Sequence, residues 1–574
     1  MYVRYVRKEE EAMSSSSGQI TVGLLSDFNI QNFAVLLQKN SGPLSLNCKQ
    51  APYGHTTSVL INDKDDFWSA PYDALIIWTL PDRVIPSFNR VASFEEYSID
   101  ALLTEVDSFA AQIREIPKAI RAIFFPSWIA PGVDRGLGPL DLANNVGIAN
   151  ALMRMNLRLA DNFECDRRVI MLDAQRWVST AGAEALNPKL WYMSKTPFDS
   201  SVFQEACKDI WAAMDGIQGR SKKVVVLDLD DTLWGGIVGD VGWERLRLGG
   251  HDPIGEAFVD FQRNLKRLVN RGILLAIASK NEETVALEAI RRHPEMVLKP
   301  EDFADWKINW QDKAANIVEL LASLNLGLDS VVFLDDSPFE RARVRETLPQ
   351  VLVPELPVDP MQYSSFLRNL RCFDNPIISK EDRTRTSMYV ADRQRVTLKT
   401  EVKSLGEWLK MLELSVIVEP LRDGNLERAA QLFNKTNQMN LSTRRLTSSE
   451  LLAWGNAERH NLWTFRISDK FGDYGLCGIS SLVLEGSKGK LLDFVLSCRV
   501  MGRGVEESIV STVANHAKSL GCQELYAEFI PTPKNQPCER WLESLPNFVR
   551  EGNIFRLSPL HSIDFPAHVR ITMA

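Results

Sequence analysis

The sequence predicts a multidomain α/β protein whose central domain is a doubly wound parallel sheet. At 574 residues the chain is too long for one hydrophobic core, and about 100 to 200 residues per domain gives three or four units. From residue 221 onward, short apolar runs alternate with helical patterns in the order strand, helix, strand, helix. Such connections are right-handed crossovers, which build a doubly wound sheet.

The composition is that of a folded protein that stays in water. Hydrophobic residues make up 45%, charged residues 24%, and the mean hydropathy is -0.14. No window approaches the roughly 18 uncharged apolar residues of a membrane-spanning helix, and the N-terminus lacks the apolar core of a secretory signal. We therefore expect a cytoplasmic protein that does not bind membranes.

Charge and cysteine usage exclude two further classes. The formal net charge is -8 and there is no basic run, which argues against nucleic acid as the main partner because phosphate neutralisation needs clustered Lys and Arg. The eight cysteines are scattered, without a CxxC pair or a Cys/His cluster at zinc spacing. They are predicted to be free thiols rather than a disulfide framework or a zinc site.

Periodicity divides the chain into six segments. The start is charged and then serine-rich, as in a flexible leader. Three buried strands separated by helical stretches then predict a first parallel α/β layer. The last third has several strand-like runs around one helix, which predicts a mixed α/β domain. We expect a leader at 1–18, an α/β domain at 19–185, a linker at 186–220, the doubly wound domain at 221–375, a linker at 376–405 and a C-terminal domain at 406–574.

The motif DLDDT directly follows the apolar run VVVL and is the main candidate for chemistry. Its alternate carboxylates, Asp228 and Asp230, are expected at the carboxyl end of a strand, where α/β sheets place their ligands. A carboxylate that attacks phosphorus needs a metal to neutralise phosphoryl oxygens and a second acid to protonate the leaving group. Two Asp two residues apart can provide the nucleophile and the acid.

Three later segments supply the other parts of such a site. Ser279 ends a predicted strand and suits a phosphoryl oxygen, and Lys313 begins a predicted helix and suits balancing negative charge. Asp335 and Asp336 end another strand and are hard oxygen ligands of the kind that magnesium prefers. Singly, each has an ordinary explanation as a turn, a helix cap or a solvated side chain. Their order on successive strands favours a phosphoryl-transfer site.

These four motifs resemble those of the haloacid dehalogenase superfamily. The resemblance implies that Asp228 is the phosphorylated nucleophile and that Asp230 is the acid/base, whose backbone carbonyl also reaches Mg²⁺. Asp335 or Asp336 would complete the metal shell, and which of the two is the direct ligand stays open. The implied phosphoryl-binding and substrate-binding residues are Thr232, Ser279, Lys280, Asn281 and Lys313.

A narrower resemblance, to the FkbH-like subfamily, rests on DLDDTLWGGIVGDVGWE, INWQDKAANI, VVFLDDSPFERARVR, NQMNLSTRR, FGDYGLCG, SCRVMGRGVEE and PTPKNQP. It implies an enzyme that takes a glyceryl unit from 1,3-bisphosphoglycerate, removes phosphate and leaves glycerate as a thioester on the phosphopantetheine arm of an acyl carrier protein, in polyketide or related biosynthesis.

The short segment after DLDDT and the lack of an insertion after Ser279 also predict a site without a large cap domain, open to a bulky substrate.

In the C-terminal domain, the run RVMGRG passes from a strand into a helix and can present backbone N–H groups to a phosphate. It resembles the pantetheine-binding turn of GNAT-type acyltransferases, which implies binding by Arg499, Gly502, Arg503 and Gly504. The preceding Cys498 is either a buried strand cysteine or, with a pKa lowered by the helix N-terminus, an acyl acceptor.

The N-terminal domain resembles an SGNH-type hydrolase at LLSDFN, where Ser26 stands at the nucleophile position. Such a site needs a late Asp-x-x-His to activate the serine, and no histidine occurs between His55 and His251. We therefore predict a non-catalytic layer.

Two alternatives to glyceryl loading remain open. The first is a phosphatase that acts on another small phosphate, with a C-terminal domain that transfers acyl groups from coenzyme A. The second is a non-catalytic scaffold that binds a carrier protein. The presence of Asp228, Asp230, Ser279 and Lys313 together favours an enzyme.

Overall fold

The described residues of the computed structural model form two compact units, residues 1–223 with 365–378 and residues 224–364 with 379–574. The predicted leader lies outside the described residues, as does most of the second predicted linker. The structure describes residues 20–39, 45–130, 136–324, 326–375, 386–391, 393, 395, 404–436, 438–444, 446, 448–532 and 535–574.

The first unit is built on a five-stranded parallel sheet in the order β2-β1-β3-β4-β5. The strands are β1 (Ile20–Ser26), β2 (Leu46–Gln50), β3 (Ala74–Trp78), β4 (Ala122–Pro126) and β5 (Val169–Leu172). The helices are α1 (Gln31–Lys39), α2 (Thr56–Ile61), α3 (Pro81–Val84), α4 (Phe88–Ala92), α5 (Ile99–Arg114), α6 (Ile148–Phe163), α7 (Ala174–Ala181), α8 (Pro188–Ser194) and α9 (Ser200–Ile217).

Helices cover both faces of this sheet because its strands alternate apolar side chains between two cores. Leu24 and Ile76 pack in a core with Phe203 of α9, whereas Leu25 and Leu75 pack in a second core with α5 and α6. Helix α9 therefore belongs to the first unit. The segment predicted as a linker with an amphipathic helix, 186–220, includes this helix, whose apolar face is buried against the sheet.

The central part of the second unit is a four-stranded parallel sheet in the order β8-β7-β6-β9. The strands predicted at KVVVLDLD, ILLAIASKN and DSVVFLDDSP are confirmed. The strands are β6 (Val224–Leu227), β7 (Leu274–Ser279), β8 (Phe303–Ile308) and β9 (Val331–Leu334), and the helices are α10 (Val238–Val241), α11 (Pro253–Asn270), α12 (Glu283–Arg292), α13 (Lys313–Leu324) and α14 (Pro338–Thr347), followed by α15 (Tyr363–Arg368).

The C-terminal part of this unit is a mixed sheet in the order β16-β17-β15-β14-β13-β12-β10-β18, with β11 paired to β14. Strands β12, β13 and β14 are antiparallel, whereas β14 pairs with β15 in parallel. The strands are β10 (Leu414–Pro420), β11 (Met439–Asn440), β12 (His460–Asp469), β13 (Gly472–Glu485), β14 (Lys488–Leu496), β15 (Glu524–Glu528), β16 (Val549–Glu551), β17 (Ile554–Leu557) and β18 (Val569–Met573), and the helices are α16 (Leu405–Met411), α17 (Asp423–Lys435), α18 (Ser448–Gly455), α19 (Val505–Ser519) and α20 (Gln536–Ser544). The predicted fold class, a multidomain α/β protein with a doubly wound central sheet, is confirmed.

Two arginines from the second predicted linker join the two sheets of this unit. The Arg393 guanidinium lies 3.9 Å from the centre of the Trp306 ring and donates to the Phe303 carbonyl at 2.9 Å. Arg395 forms an ion pair with Asp469 at 2.7 Å, and both side chains are buried.

Among the helices that the structure describes, none is long and apolar enough to cross a membrane.

Candidate active site

The predicted motifs meet at the carboxyl edge of the central sheet. Asp228 follows β6, Ser279 ends β7, Lys313 begins α13 and Asp335 follows β9. The three strands are parallel, so their carboxyl ends lie at one edge. Asp228 is 7% exposed, Lys313 is 3% exposed and Asp335 is fully buried. Four residues that are far apart in sequence thus form one buried polar cluster.

The carboxylates of Asp228, Asp335 and Asp336 form a group that fits a metal ion. Each offers an oxygen, and these oxygens lie within 4.8 Å of one another. Asp228 Oδ1 is buried, and the Lys313 ammonium lies 3.0 Å from it. One lysine does not balance three carboxylates, so a bound cation would neutralise the negative charge that remains. Carboxylate oxygens are the ligands of hard divalent cations such as Mg²⁺.

Lys313 supplies the positive charge inside this cluster. Its Nζ lies 3.0 Å from Asp228 Oδ1 and 2.6 Å from Asp335 Oδ2. Burial lowers the pKa of Lys313, but the charges of the two carboxylates outweigh burial, and the pKa is raised. Burial and the charge of Asp228 raise the pKa of Asp335 to about 6, although Lys313 acts in the opposite direction. Lys313 therefore stays charged and holds two carboxylates close together.

Asp335 and Asp336 have different surroundings. Asp335 accepts from Lys313 on Oδ2 and from the Ser337 N–H on Oδ1 at 2.9 Å. Asp336 accepts from the Thr232 hydroxyl on Oδ1 at 3.2 Å. Oδ2 of Asp336 receives no hydrogen bond among the described residues, so Asp336 has the freer oxygen for a metal.

Asp230 is oriented by three N–H donors. Trp234 Nε1 and the Val238 N–H reach Oδ1 at 2.8 and 3.1 Å, and Asn281 Nδ2 reaches Oδ2 at 2.8 Å. Burial is the largest effect on the pKa of Asp230 and raises it above the ordinary value. Asn281, which we predicted to bind substrate, thus contacts the candidate acid/base. Trp234 was missed, although it lies four residues after Asp230 in the motif.

The other predicted residues of this site are divided between the cluster and its edge. Ser279 is fully buried, with Oγ 3.5 Å from Asn281 Nδ2. Thr232 contacts Asp336. Lys280, in contrast, forms an ion pair with Glu340 at 2.6 Å. Ser279 and Thr232 therefore lie near the carboxylates, whereas the Lys280 ammonium is paired with Glu340.

Arg341 supports the backbone of the last motif and was not found from sequence. Its Nη1 donates to the carbonyls of Asp335 and Asp336, at 2.7 Å each. Nε and Nη2 donate to Glu355 at 3.2 and 3.0 Å. The signal in the sequence for Arg341 is its position in VVFLDDSPFER. It lies five residues after Asp336, which places it in the first turn and a half of α14.

In the C-terminal turn, donors that we predicted to bind pantetheine contact protein groups. The Gly502 N–H donates to Glu506 Oε1 at 2.6 Å, and Arg503 donates to the Tyr474 hydroxyl. Burial raises the pKa of Glu506 to about 7, although the Gly502 N–H lowers it. Gly504 precedes α19 with φ of 87°, and Arg499 is exposed and donates to Met388 Sδ at 3.2 Å. The side chain of Cys498 lies outside the described residues.

In the first unit, Ser26 lies at the carboxyl end of β1 and is 5% exposed. Its Oγ accepts from the Phe28 N–H at 3.3 Å. Among the hydrogen bonds of the described residues, none joins this hydroxyl to a histidine or a carboxylate. The hydroxyl therefore has no general base in this arrangement. The non-catalytic role of this unit stays a prediction.

One solved structure is similar to this chain over most of its length. It is the N-terminal part of the protein BF1531 from Bacteroides fragilis, described as containing a phosphatase domain and complexed with Mg. The two are 29% identical with a TM-score of 0.58, and the match covers 64% of this chain and 98% of that chain. This likeness fits the parallel sheets described above.

Several acetyltransferase structures match a smaller part. The ribosomal-protein-S18-alanine N-acetyltransferase of Escherichia coli is 12% identical with a TM-score of 0.20, over 26% of this chain and 97% of that chain. The spermidine N-acetyltransferase of Vibrio cholerae, in complex with CoA and spermine, is 15% identical with a TM-score of 0.20, over 25% of this chain and 92% of that chain. No family model matches the chain, and no curated protein is similar to it.

Replacing Lys313 with Met should destabilise the sheet edge, because Asp228 and Asp335 would then be buried together without their shared cation. We expect the unfolding free energy at pH 7.5 to fall by about 3 to 5 kcal/mol. At pH 5 the loss should be smaller, because Asp335, with its pKa raised to about 6, takes up a proton and the repulsion falls. Hydrogen–deuterium exchange of the β6 and β9 amides, in EDTA, measures the change.

Lys307→Met is the matched control for this variant. Lys307 lies on the adjacent strand β8 and forms an exposed ion pair with Glu319, which is worth less than about 1 kcal/mol. Equal losses in the two variants, or a Lys313→Met loss that is the same at both pH values, would contradict the proposed charge balance.

Proposed function

We propose that this protein is a Mg²⁺-dependent phosphatase of the haloacid dehalogenase type that works through phosphorylation of Asp228. The observation that carries the proposal is the cluster of Asp228, Asp335 and Asp336, in which the Lys313 ammonium contacts the buried Asp228 and Asp335. The similarity to the Bacteroides fragilis structure, which contains a phosphatase domain and was solved with Mg, supports both the activity and the metal.

In the proposed mechanism, Asp228 attacks phosphorus and the bond from phosphorus to the leaving oxygen breaks. Asp230 gives its proton to that oxygen, then takes a proton from the water that attacks the phosphoaspartate, and phosphate leaves. Lys313 and the Ser279 hydroxyl bind phosphoryl oxygens. Asp228, the Asp230 carbonyl and Asp336 or Asp335 would hold Mg²⁺, which would supply positive charge to neutralise the phosphoryl group. Asp230 suits proton transfer because three donors fix its carboxylate.

Asp228→Asn should abolish phosphate release, because an amide is a poor nucleophile. We expect release from p-nitrophenyl phosphate in Mg²⁺ to fall by about a thousandfold or more, and EDTA to abolish it in the unmodified chain. Asp231→Asn is the matched control, since Asp231 is exposed and Asn tolerates its φ of 52°. Turnover retained in Asp228→Asn, or lost equally in Asp231→Asn, would eliminate the proposed nucleophile.

Trp234→Phe tests the role of Asp230 as the acid. The change keeps a buried ring and removes the N–H that reaches Asp230 Oδ1 at 2.8 Å. Loss of this donor raises the pKa of Asp230, so the alkaline limb of the kcat profile should move to higher pH. We expect kcat to fall about fivefold for an alkyl phosphate and less for p-nitrophenyl phosphate, whose leaving group needs little protonation. A purely structural role would reduce turnover of both substrates equally.

For the substrate, we propose the glyceryl loading that the FkbH-like resemblance implies. Two bond changes are needed: a thiolate attacks the acyl carbon of 1,3-bisphosphoglycerate and expels the C1 phosphate, and Asp228 removes the C3 phosphoryl group and frees a hydroxyl. The segments that follow β6, β8 and β9 expose large apolar side chains, which suits a bulky, protein-borne substrate. These are Ile237, Trp310 and Phe339, at 50%, 73% and 73% exposed.

The two segments into which a cap domain would be inserted are short, and this supports access by a carrier protein. Only α10 and a 3-10 turn lie between Asp230 and α11, and α12 begins four residues after Ser279. The C-terminal turn adds less support, because Glu506 already accepts from the Gly502 N–H. A phosphopantetheine arm that bound there would have to displace the Glu506 carboxylate.

Intact-mass spectrometry of a phosphopantetheinylated acyl carrier protein, after incubation with this protein, Mg²⁺ and 1,3-bisphosphoglycerate, tests the loading. We expect a glyceryl mass gain on the carrier, without phosphate. Loss of the gain in Cys498→Ala but not in Cys165→Ala, an exposed cysteine of the first unit, would support a relay through Cys498. Steady phosphate release with no gain on any carrier would leave the phosphatase and overturn the loading.

A further inference from the structure

The first unit contains a cavity that is separate from the phosphoryl-transfer cluster. Its volume is about 740 Å³, within the range of small-molecule sites. It is lined by the end of α1, one side of α9 between residues 204 and 215, and residues 220–222 and 371–372, all of which belong to the first unit. The cavity is large enough for a small ligand, and the residues that line it do not include the carboxylates of the candidate active site.

The lining combines an apolar wall with cationic side chains. Leu36, Trp211 and Ala212 provide apolar surface, and the neutral thiols of Cys207 and Cys372, whose pKa values burial raises to about 12, add to it. Five of the lining residues are cationic and one is acidic. The cationic residues are Lys39, Lys208, Arg220, Lys222 and Arg371, and the acidic residue is Asp215.

Two of the guanidinium groups are held in fixed orientations by carboxylates. Arg371 donates through Nε to Asp209 and through Nη2 to Glu205, at 2.5 Å each. Arg220 donates through Nε and Nη2 to Asp215, at 2.9 and 2.5 Å. Within the described residues, no hydrogen bond reaches Nη1 of either arginine. Each guanidinium group is thus fixed in orientation without a ligand, and its Nη1 donates to none of the described residues.

We propose that this cavity binds a small organic oxyanion, a carboxylate or a phosphoryl group attached to an apolar body. The anion pairs with the spare donors of Arg220 and Arg371 and with Lys39, and the apolar body lies against Trp211 and Leu36. Guanidinium groups suit this role because their fork matches carboxylate and phosphate oxygens. Fixing them beforehand lowers the entropy cost of binding.

Isothermal titration calorimetry of the full chain in EDTA, with phenylphosphonate and with benzoate, tests the proposal. Phenylphosphonate resists hydrolysis, and the two arms separate phosphoryl from carboxylate ligands. We expect saturable 1:1 binding of at least one anion and none of benzyl alcohol. Arg220→Met and Lys39→Met should each weaken binding about fivefold or more, because each removes a cation from the lining.

Two controls locate the binding. Lys189→Met removes an exposed cation of the same unit that does not line the cavity and should leave the affinity unchanged. Ser279→Ala changes the phosphoryl-transfer cluster and should also leave it unchanged. The proposal is overturned if neither anion binds at millimolar concentration, if Arg220→Met and Lys39→Met bind like the unmodified chain, or if Ser279→Ala abolishes binding.

Discussion

The arrangement of the candidate active site depends on one electrostatic constraint, the clustering of three carboxylates, two of them buried, with a single lysine. Two like charges about 4 Å apart repel by about 4 kcal/mol at an effective dielectric constant near 20, so three carboxylates within 4.8 Å need compensation. Lys313 provides it by contacting two of them at once. The site retains an excess of negative charge, which favours a divalent cation over further protein contacts.

The same constraint separates the roles of the two aspartates in DLDDT. Asp228 lies in the field of Lys313, whose Nζ is 3.0 Å from Asp228 Oδ1. Asp230 instead accepts hydrogen bonds from the N–H donors of Trp234, Val238 and Asn281. Two carboxylates in different environments can serve as nucleophile and as acid at one pH. Their two-residue spacing alone would not have distinguished them.

Sequence reasoning found the strand ends but not the contacts between distant segments. Strands β6, β7 and β9 were predictable because strands buried on both faces are continuous apolar runs. Strand β8 was missed because it is an edge strand that carries Asp305, Trp306 and Lys307. The pairings of Lys280 with Glu340 and Asn281 with Asp230 join residues 60 and 51 positions apart. No local pattern encodes such pairs, because they depend on how the strands are ordered in space.

The edge strand β8 also shows how the two sheets of the second unit are held together. An exposed edge is open to pairing with other chains, and Arg393 stacks over Trp306 and binds the Phe303 carbonyl on that strand. Two residues later, Arg395 is buried in an ion pair with Asp469 of the C-terminal sheet. Removing one partner of a buried ion pair lowers the free energy of unfolding by about 3 to 5 kcal/mol. The Arg395–Asp469 pair therefore resists separation of the two sheets.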